Sequence, residues 1–185
     1  MESSTSGSPP TSLTRHGALV TTARLELVGC SLAAARASLR SPEALERFLG
    51  RPVPSTWPPE ELRDALALHA AVGRDDPALR GWGLWLALLA SPGGSLVGSA
   101  GFKGAPDRAG TVEIGYGIEP PFRRRGLATE AAGALLRWAV ARGVSRVIAE
   151  CHPSNDASMG VLRRLGMRRI ETRGGMLWWE RTAPW

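Results

Sequence analysis

Residues 111–142 limit the fold of this chain more than any other stretch. Thr111 to Ile118 alternates large apolar residues with small or polar ones, the period of a half-buried strand. Pro120 and Pro121 end it, because proline cannot donate to a strand ladder. Arg123, Arg124 and Arg125 then lead to Gly126. From Gly126 to Arg142 runs the longest helical pattern in the sequence, rich in alanine and leucine, with Gly143 as its stop. Val144 to Glu150 is strand-like again, with Val147 and Ile148. A strand, a helix and a strand in that order fit a right-handed parallel crossover.

The flanking segments extend this unit. Structure is expected to begin at Ala18, and Thr22 to Val28 alternates as a strand. Leu32 to Arg40 reads as a helix. Ser41 then caps a second helix that has Pro42 at its first position and runs to Gly50. The four prolines between Arg51 and Pro59 require a loop. Pro59 to Val72 is helical, with Leu62, Leu66 and His69 on one face and Gly73 as stop. Gly81 to Leu89 and Ser95 to Phe102 read as a hairpin turning at Ser91-Pro92-Gly93-Gly94. Asp156 to Leu165 is a helix capped by Ser154 or Asn155 and ended by Gly166. Met167 to Thr172 and Met176 to Arg181 form a closing pair of strands. There is no internal repeat. Meander strands pair antiparallel, so a mixed α/β sheet follows.

With 185 residues the chain holds one domain, read as a tail over residues 1–17 and a single domain over residues 18–185. Two cysteines, Cys30 and Cys151, exclude a disulfide framework, and three scattered histidines argue against a metal. No secretory segment opens the chain, and the longest apolar stretch, Trp82 to Ala90, is too short to span a bilayer. A cytoplasmic protein with no membrane partner is expected, either monomer or homodimer. The formal charge of +6 is uneven: residues 1–119 balance to −1 and residues 120–185 to +7. Lys103 is the only lysine among 23 basic residues. The last third therefore raises the question of an anionic ligand.

Arg123-Arg124-Arg125-Gly126 at the mouth of a helix supplies one answer. A helix N-terminus presents unpaired N–H groups and the positive end of a dipole, and Gly126 lets a ligand approach the backbone. Ala128 keeps the next approach point small, and Thr129 adds a hydroxyl. The spacing is neither that of a Walker loop nor that of the dinucleotide fingerprint. Taken alone, the same residues describe a charged turn before an ordinary helix.

The wider context resembles the GNAT superfamily of acyl-CoA N-acyltransferases from about Ala23 to Arg181. Arg123-Arg124-Arg125-Gly126-Leu127-Ala128 matches its Arg/Gln-x-x-Gly-x-Gly/Ala signature, and the flanking Glu113-Ile-Gly-Tyr-Gly strand and Ala128-Thr-Glu-Ala helix start match too. Asn155-Asp-Ala-Ser158 with Leu162 to Met167 resembles the second segment, Asn-x-x-Ser then Leu-Gly-Phe, with methionine in place of phenylalanine. Thr22 to Leu27 looks like the first strand of the branch containing ribosomal-protein N-terminal acetyltransferases. The resemblance implies a mixed, mostly antiparallel sheet flanked by helices and splayed at a cofactor cleft. It implies acetyl-CoA as donor. Arg123, Arg124, Arg125, Gly126, Leu127, Ala128 and Thr129 would hold the pyrophosphate, and Ile118 and Asn155 would contact the pantetheine arm from two sides.

Amide formation needs a neutral amine, so a base or a proton-conducting water must accept a proton. Glu113 is the base candidate. It shares a strand face with Gly115 and Gly117, which leaves empty space beside the carboxylate; a solvated residue on an open sheet would look the same. The tyrosine that many family members use as acid is absent after the second segment, since the single tyrosine, Tyr116, precedes it. Ser158 matches the position where the ribosomal-type branch places a serine near the sulfur, and it equally fits a serine that merely caps or packs. Trp82 and Trp85 are placed at the border of the acceptor pocket, and one of Trp178 and Trp179 is expected to face a ligand or partner. His69 is expected to be partly buried, and His152 near the cleft has no partner in sequence. The leading reading is an acetyl-CoA-dependent N-acetyltransferase acting on a protein N-terminus or a small amine, with no metal. The alternatives are a non-catalytic acyl-CoA-binding module and a nucleic-acid binder. Nucleic acid is not expected as a partner, except as part of a ribosomal-protein target. The acidic residues Glu60, Glu61, Asp64, Asp75 and Asp76 form a candidate rim for a cationic acceptor, or a solvated helix face.

Overall fold

The computed structural model describes residues 18–72 and 81–185. The expected tail, and Asp75 and Asp76 of the acidic rim, lie outside the described residues. The elements run β1 (Leu19–Thr21), β2 (Leu25–Gly29), α1 (Leu32–Arg40), α2 (Pro42–Leu49), α3 (Glu60–Val72), β3 (Leu84–Leu89), β4 (Leu96–Phe102) and β5 (Thr111–Ile118). They continue α4 (Leu127–Val140), β6 (Arg146–Cys151), α5 (Asp156–Arg164), β7 (Arg168–Arg173) and β8 (Met176–Thr182). All eight strands join one sheet in the order β1-β2-β3-β4-β5-β6-β8-β7. Only β5 and β6 are parallel, as the α4 crossover requires. The fold is α/β with a mixed, mostly antiparallel sheet, as the resemblance implies.

Local chemistry sets many of the boundaries. The Ser41 hydroxyl accepts from Ala44 N and starts α2 with Pro42 behind it; Gly50 stops it in the left-handed region at φ 64°. Asn155, not Ser154, caps α5: its Oδ1 accepts from Ser158 N at 2.9 Å. The expected strand from Thr22 begins only at Leu25, and β1 before it is a strand the sequence reading did not assign. Thr22 N donates to Leu25 O at 2.8 Å and Leu25 N donates to the Thr22 hydroxyl at 2.9 Å, so a turn separates β1 from β2.

The sheet divides the core. On one face, α4 and α5 pack Leu127, Ala131, Leu135 and Leu162 against Val112, Ile114, Val147 and Ala149. On the other, α1, α2 and α3 pack Ala35, Leu45 and Leu66 against Val28, Leu86, Leu88 and Leu96, with Trp57 from the proline-rich loop. Trp82 and Trp85 belong to the α4 face, contrary to expectation. Trp85 is fully buried, and both lie edge-on to Trp138 of α4 at 4.8 and 5.3 Å between centroids. Trp85 is a core residue and half-buried Trp82 packs against the core; the chain over residues 81–83 is not strand, and the alternation begins only at Leu84.

Candidate active site

The loop after β5 turns through one 3-10 turn at Pro120–Phe122 and enters α4 at Gly126. Gly126 adopts φ 77°, where a side chain is strained, and no side chain caps the helix. Arg124 is the one non-glycine described residue with positive φ, at 58°. Arg123, Arg124, Arg125 and Gly126 are exposed, Leu127 is buried, and Ala128 and Thr129 are half-buried. Three exposed arginines therefore precede uncapped helical N–H groups, a fitting arrangement for a pyrophosphate. Arg123 Nε donates to the Ile118 carbonyl at 2.8 Å, which ties the loop to the end of β5.

A residue outside both signature segments supports this loop. Arg24, between β1 and β2, donates from Nη1 to Arg125 O at 2.8 Å and from Nε to Glu130 Oε2 at 2.6 Å. Its backbone N–H and the Thr22 hydroxyl both donate to Glu130 Oε1, at 2.9 and 2.6 Å. Partial burial works against the Glu130 carboxylate, but the Thr22 and Arg24 hydrogen bonds outweigh it and hold its pKa below the usual value.

A cleft opens above the loop. β5 pairs with β6 only from Thr111↔Arg146 to Glu113↔Ile148; beyond Glu113, β5 pairs with β4 alone and β6 with β8 alone. Tyr116 reaches from β5 to α5 on the α4 face, with its hydroxyl 3.0 Å from Ser158 Oγ and 3.3 Å from Ser158 O. Burial pushes the Tyr116 phenol up to about 12. The single tyrosine, although it precedes the second signature in sequence, thus lies against Ser158 in space.

The opposite face holds Glu113, Gly115 and Gly117, as the alternation predicts. A Cβ at Gly115 or Gly117 would meet nothing within 4 Å, so open space runs along the strand. Glu113 is not free within it. Lys103 Nζ lies 2.5 Å from the buried Glu113 Oε1, an ion pair outside the geometry of a directed hydrogen bond, and 2.8 Å from Glu150 Oε1. Partial desolvation opposes the ammonium, but contacts with Glu113 and Glu150 outweigh it and raise the Lys103 pKa. Glu119 is buried, 3% exposed, with Oε2 accepting from the Thr56 hydroxyl at 2.5 Å.

Lys103, Glu119, Tyr116 and Arg24 join the candidate site, and sequence reasoning left them without a role. Two had a signal: Lys103 is the only lysine, and Glu119 continues the two-residue period of Glu113. The remaining candidates fall outside this constellation. His69 is half-buried, with Nε2 2.8 Å from Cys30 O. His152 is exposed and pairs with Ser154 Oγ at 2.7 Å. Trp179 is in the core, and half-buried Trp178 faces the groove side beneath Arg173, 4.1 Å from its ring centroid. Both cysteines are buried, and burial pushes the Cys30 thiol up to about 12, which removes it as a nucleophile. Among the described residues, no three His, Cys, Asp or Glu side chains converge as a metal site needs, and no helix is long and apolar enough to cross a membrane.

Comparison with known proteins gives a consistent result. Residues 24–168 match the family model of an acetyltransferase (GNAT) domain. The chain is 30% identical over 149 residues to an uncharacterized N-acetyltransferase, YjdG, of Bacillus subtilis (strain 168), covering 80% of this chain and 88% of the relative. A GNAT-family acetyltransferase from Bacillus anthracis superposes with a TM-score of 0.59 at 21% identity, over 89% of this chain and 98% of the other. The ribosomal L7/L12 alpha-N-protein acetyltransferase RimL, solved in complex with coenzyme A, superposes with a TM-score of 0.61 at 16% identity, over 89% and 98%. At these identities the two structural likenesses are likenesses of fold.

Proposed function

The chain belongs to the GNAT family of acetyltransferases, and on that premise we propose that it transfers the acetyl group of acetyl-CoA to a primary amine by direct attack on the thioester. The observation that carries this reading is the parting of β5 from β6 beyond Glu113↔Ile148, above an uncapped α4 N-terminus preceded by arginines. One opening thus has an anion cradle at one end and room for an extended arm at the other.

In this reading the backbone from Arg124 to Thr129 and the side chains of Arg123, Arg124 and Arg125 hold the pyrophosphate. Ile118 and Asn155 flank the pantetheine arm. The acceptor enters from the Gly115–Gly117 face, where Glu113 accepts its proton directly or through water. The amine nitrogen bonds to the acetyl carbon, and the carbon–sulfur electron pair leaves with sulfur. A thiolate of solution pKa about 8.5 is a competent leaving group, so Ser158 needs only to stabilise it. The acceptor is a protein N-terminus or a small amine, and residues 18–185 act as one domain.

One observation favours a second reading, an acyl-CoA-binding module without turnover: Lys103 already occupies Glu113. Both readings require that acetyl-CoA raise the melting temperature. A panel of N-terminal peptides, polyamines, amino acids and aminoglycosides, read by release of free CoA and by product mass, separates them. An acetylated product supports transfer, and stabilisation without product on any amine supports the module.

A further inference from the structure

Tyr116 has no place in the mechanism so far, yet it lies at the fork. It sits three residues beyond the last β5–β6 pair, and its side chain crosses to the first turn of α5. A half-buried phenol needs a hydrogen-bond partner, and among the described residues both groups it touches belong to Ser158: the carbonyl at 3.3 Å, which only accepts, and Oγ at 3.0 Å, the shorter contact, where either hydroxyl can donate. Ser158 is held at a second point, because its N–H donates to Asn155 Oδ1 at 2.9 Å. A serine with its backbone pinned by one residue and its hydroxyl touched by another has little orientational freedom left.

We propose that Tyr116 is a positioning residue for the leaving group: its hydroxyl donates to Ser158 Oγ, so that the single Ser158 hydrogen is directed away from Tyr116 and toward the departing sulfur. This rests on the reading of Ser158 as the group beside the thioester sulfur. A phenol is the more acidic of the two hydroxyls and the better donor. Burial raises its pKa to about 12, so it stays protonated through the alkaline end of the titration below. Donation into Ser158 Oγ polarises the serine O–H and makes it a stronger donor in turn. No proton passes between Tyr116, Ser158 and the sulfur in this arrangement. The nitrogen–carbon bond forms, the carbon–sulfur pair stays on sulfur, and the amine proton leaves by Glu113 or water. The thiolate is stabilised by a donor aligned before the reaction, the economical form of charge stabilisation. The other titratable groups acting on Tyr116 are Cys151 of β6 and Arg164 of α5; Lys103, Glu113 and Glu150 belong to the opposite sheet face.

The test needs no acceptor. A site that stabilises the thiolate lowers the pKa of bound CoA, so CoA affinity rises with pH until the free thiol has also ionised. One pH unit of lowering corresponds to about a tenfold gain. Calorimetric titration of CoA from pH 6.5 to 9.5, with desulfo-CoA as the control for every other titrating group, isolates this gain. The wild-type chain is expected to show it for CoA and not for desulfo-CoA. Both Y116F and S158A are expected to abolish most of it while binding desulfo-CoA within about twofold of wild type, and the double variant is expected to lose no more than either single one. If S158A loses the gain and Y116F keeps it, the positioning role is overturned while Ser158 stands. If both keep it, or the wild type has none, Ser158 and Tyr116 fall together. A wild-type chain that binds neither CoA nor desulfo-CoA overturns the proposed function itself.

Discussion

Arg24 and Glu130 tie the start of β2 to the loop before α4 across 106 positions of sequence. The Arg24 guanidinium spans the Glu130 carboxylate and the Arg125 carbonyl, and the Arg24 N–H adds a further bond to Glu130. The strand that opens the domain thereby holds the loop that would hold the phosphates. Arg24→Ala is expected to weaken acetyl-CoA binding by about tenfold, the loss of one charge-assisted hydrogen bond's worth of preorganisation. Titration of acetyl-CoA against the purified variant measures it. An unchanged affinity would show that the loop holds its shape without this clamp.

Glu130 gives the same contact a pH signature. Its pKa is depressed in the folded chain, so its contribution to stability is present above the unfolded carboxylate value and is lost as pH falls through the folded one. Glu130→Gln is therefore expected to melt below the wild type at pH 7, with the gap closing as pH falls below about 4, the ordinary glutamate range. Parallel melts from pH 7 to pH 3 check the sign.

Gly126 occupies a conformation that an L-residue enters at a cost of roughly 1–2 kcal/mol. A Cβ there would also sit 3.4 Å from Arg24 Nη2. Gly126→Val is expected to lower stability by about that amount and to weaken acetyl-CoA binding beyond it, by crowding the backbone that faces the pyrophosphate. Comparing the change in urea midpoint with the change in acetyl-CoA affinity separates the two effects.

What could be read from sequence alone tracks how locally each feature is encoded. The limits of α1 and β5, and the start of α2, follow from caps, prolines and alternation within a few residues, and the sequence reading met them. The face that carries Glu113, Gly115 and Gly117 follows from a period of two and was met as well. The relationships that make a site join distant segments. Tyr116 and Ser158 are 42 residues apart, Lys103 and Glu150 are 47 apart, and Thr56 and Glu119 are 63 apart. No local pattern announces such pairs, because they depend on which strands lie side by side and where β5 leaves β6. The misplacement of Trp82 and Trp85 has a local origin instead: the strand starts at Leu84 and not at Gly81.

Lys103 bridges Glu113 and Glu150, so its replacement leaves two carboxylates without their shared cation. Lys103→Met is expected to be less stable than wild type at neutral pH. Its pKa is raised in the folded chain, so the stabilisation is complete below the unfolded lysine value of about 10.4 and is lost only as pH rises through the folded one. Melts from pH 7 to pH 11 should show the gap persisting to about pH 10 and then closing. The companion variant, Glu113→Gln, is expected to lower kcat at neutral pH by at least about a hundredfold, the lower range for loss of a general base, with acetyl-CoA affinity little changed. An unchanged pH–rate profile would remove Glu113 from the base role.

Glu119 and Thr56 join the proline-rich loop to the end of β5. Glu119 is almost wholly buried, and among the described residues the Thr56 hydroxyl is the one side-chain group that donates to it. Thr56 belongs to the proline-rich loop after α2, so this bond holds that loop against the end of β5, next to Gly117. Thr56→Val keeps the shape of the side chain and removes the donor, which leaves a buried carboxylate oxygen unsatisfied at a cost of about 1–3 kcal/mol. Thr56→Ser keeps the donor and is expected to recover most of that loss. The urea midpoints of the two variants, compared at equal m-value, measure the difference. A loop released from Glu119 also widens the approach to Gly115 and Gly117. Thr56→Val is therefore expected to raise KM for the amine more than KM for acetyl-CoA, whereas equal changes in both would place the loop outside the acceptor path.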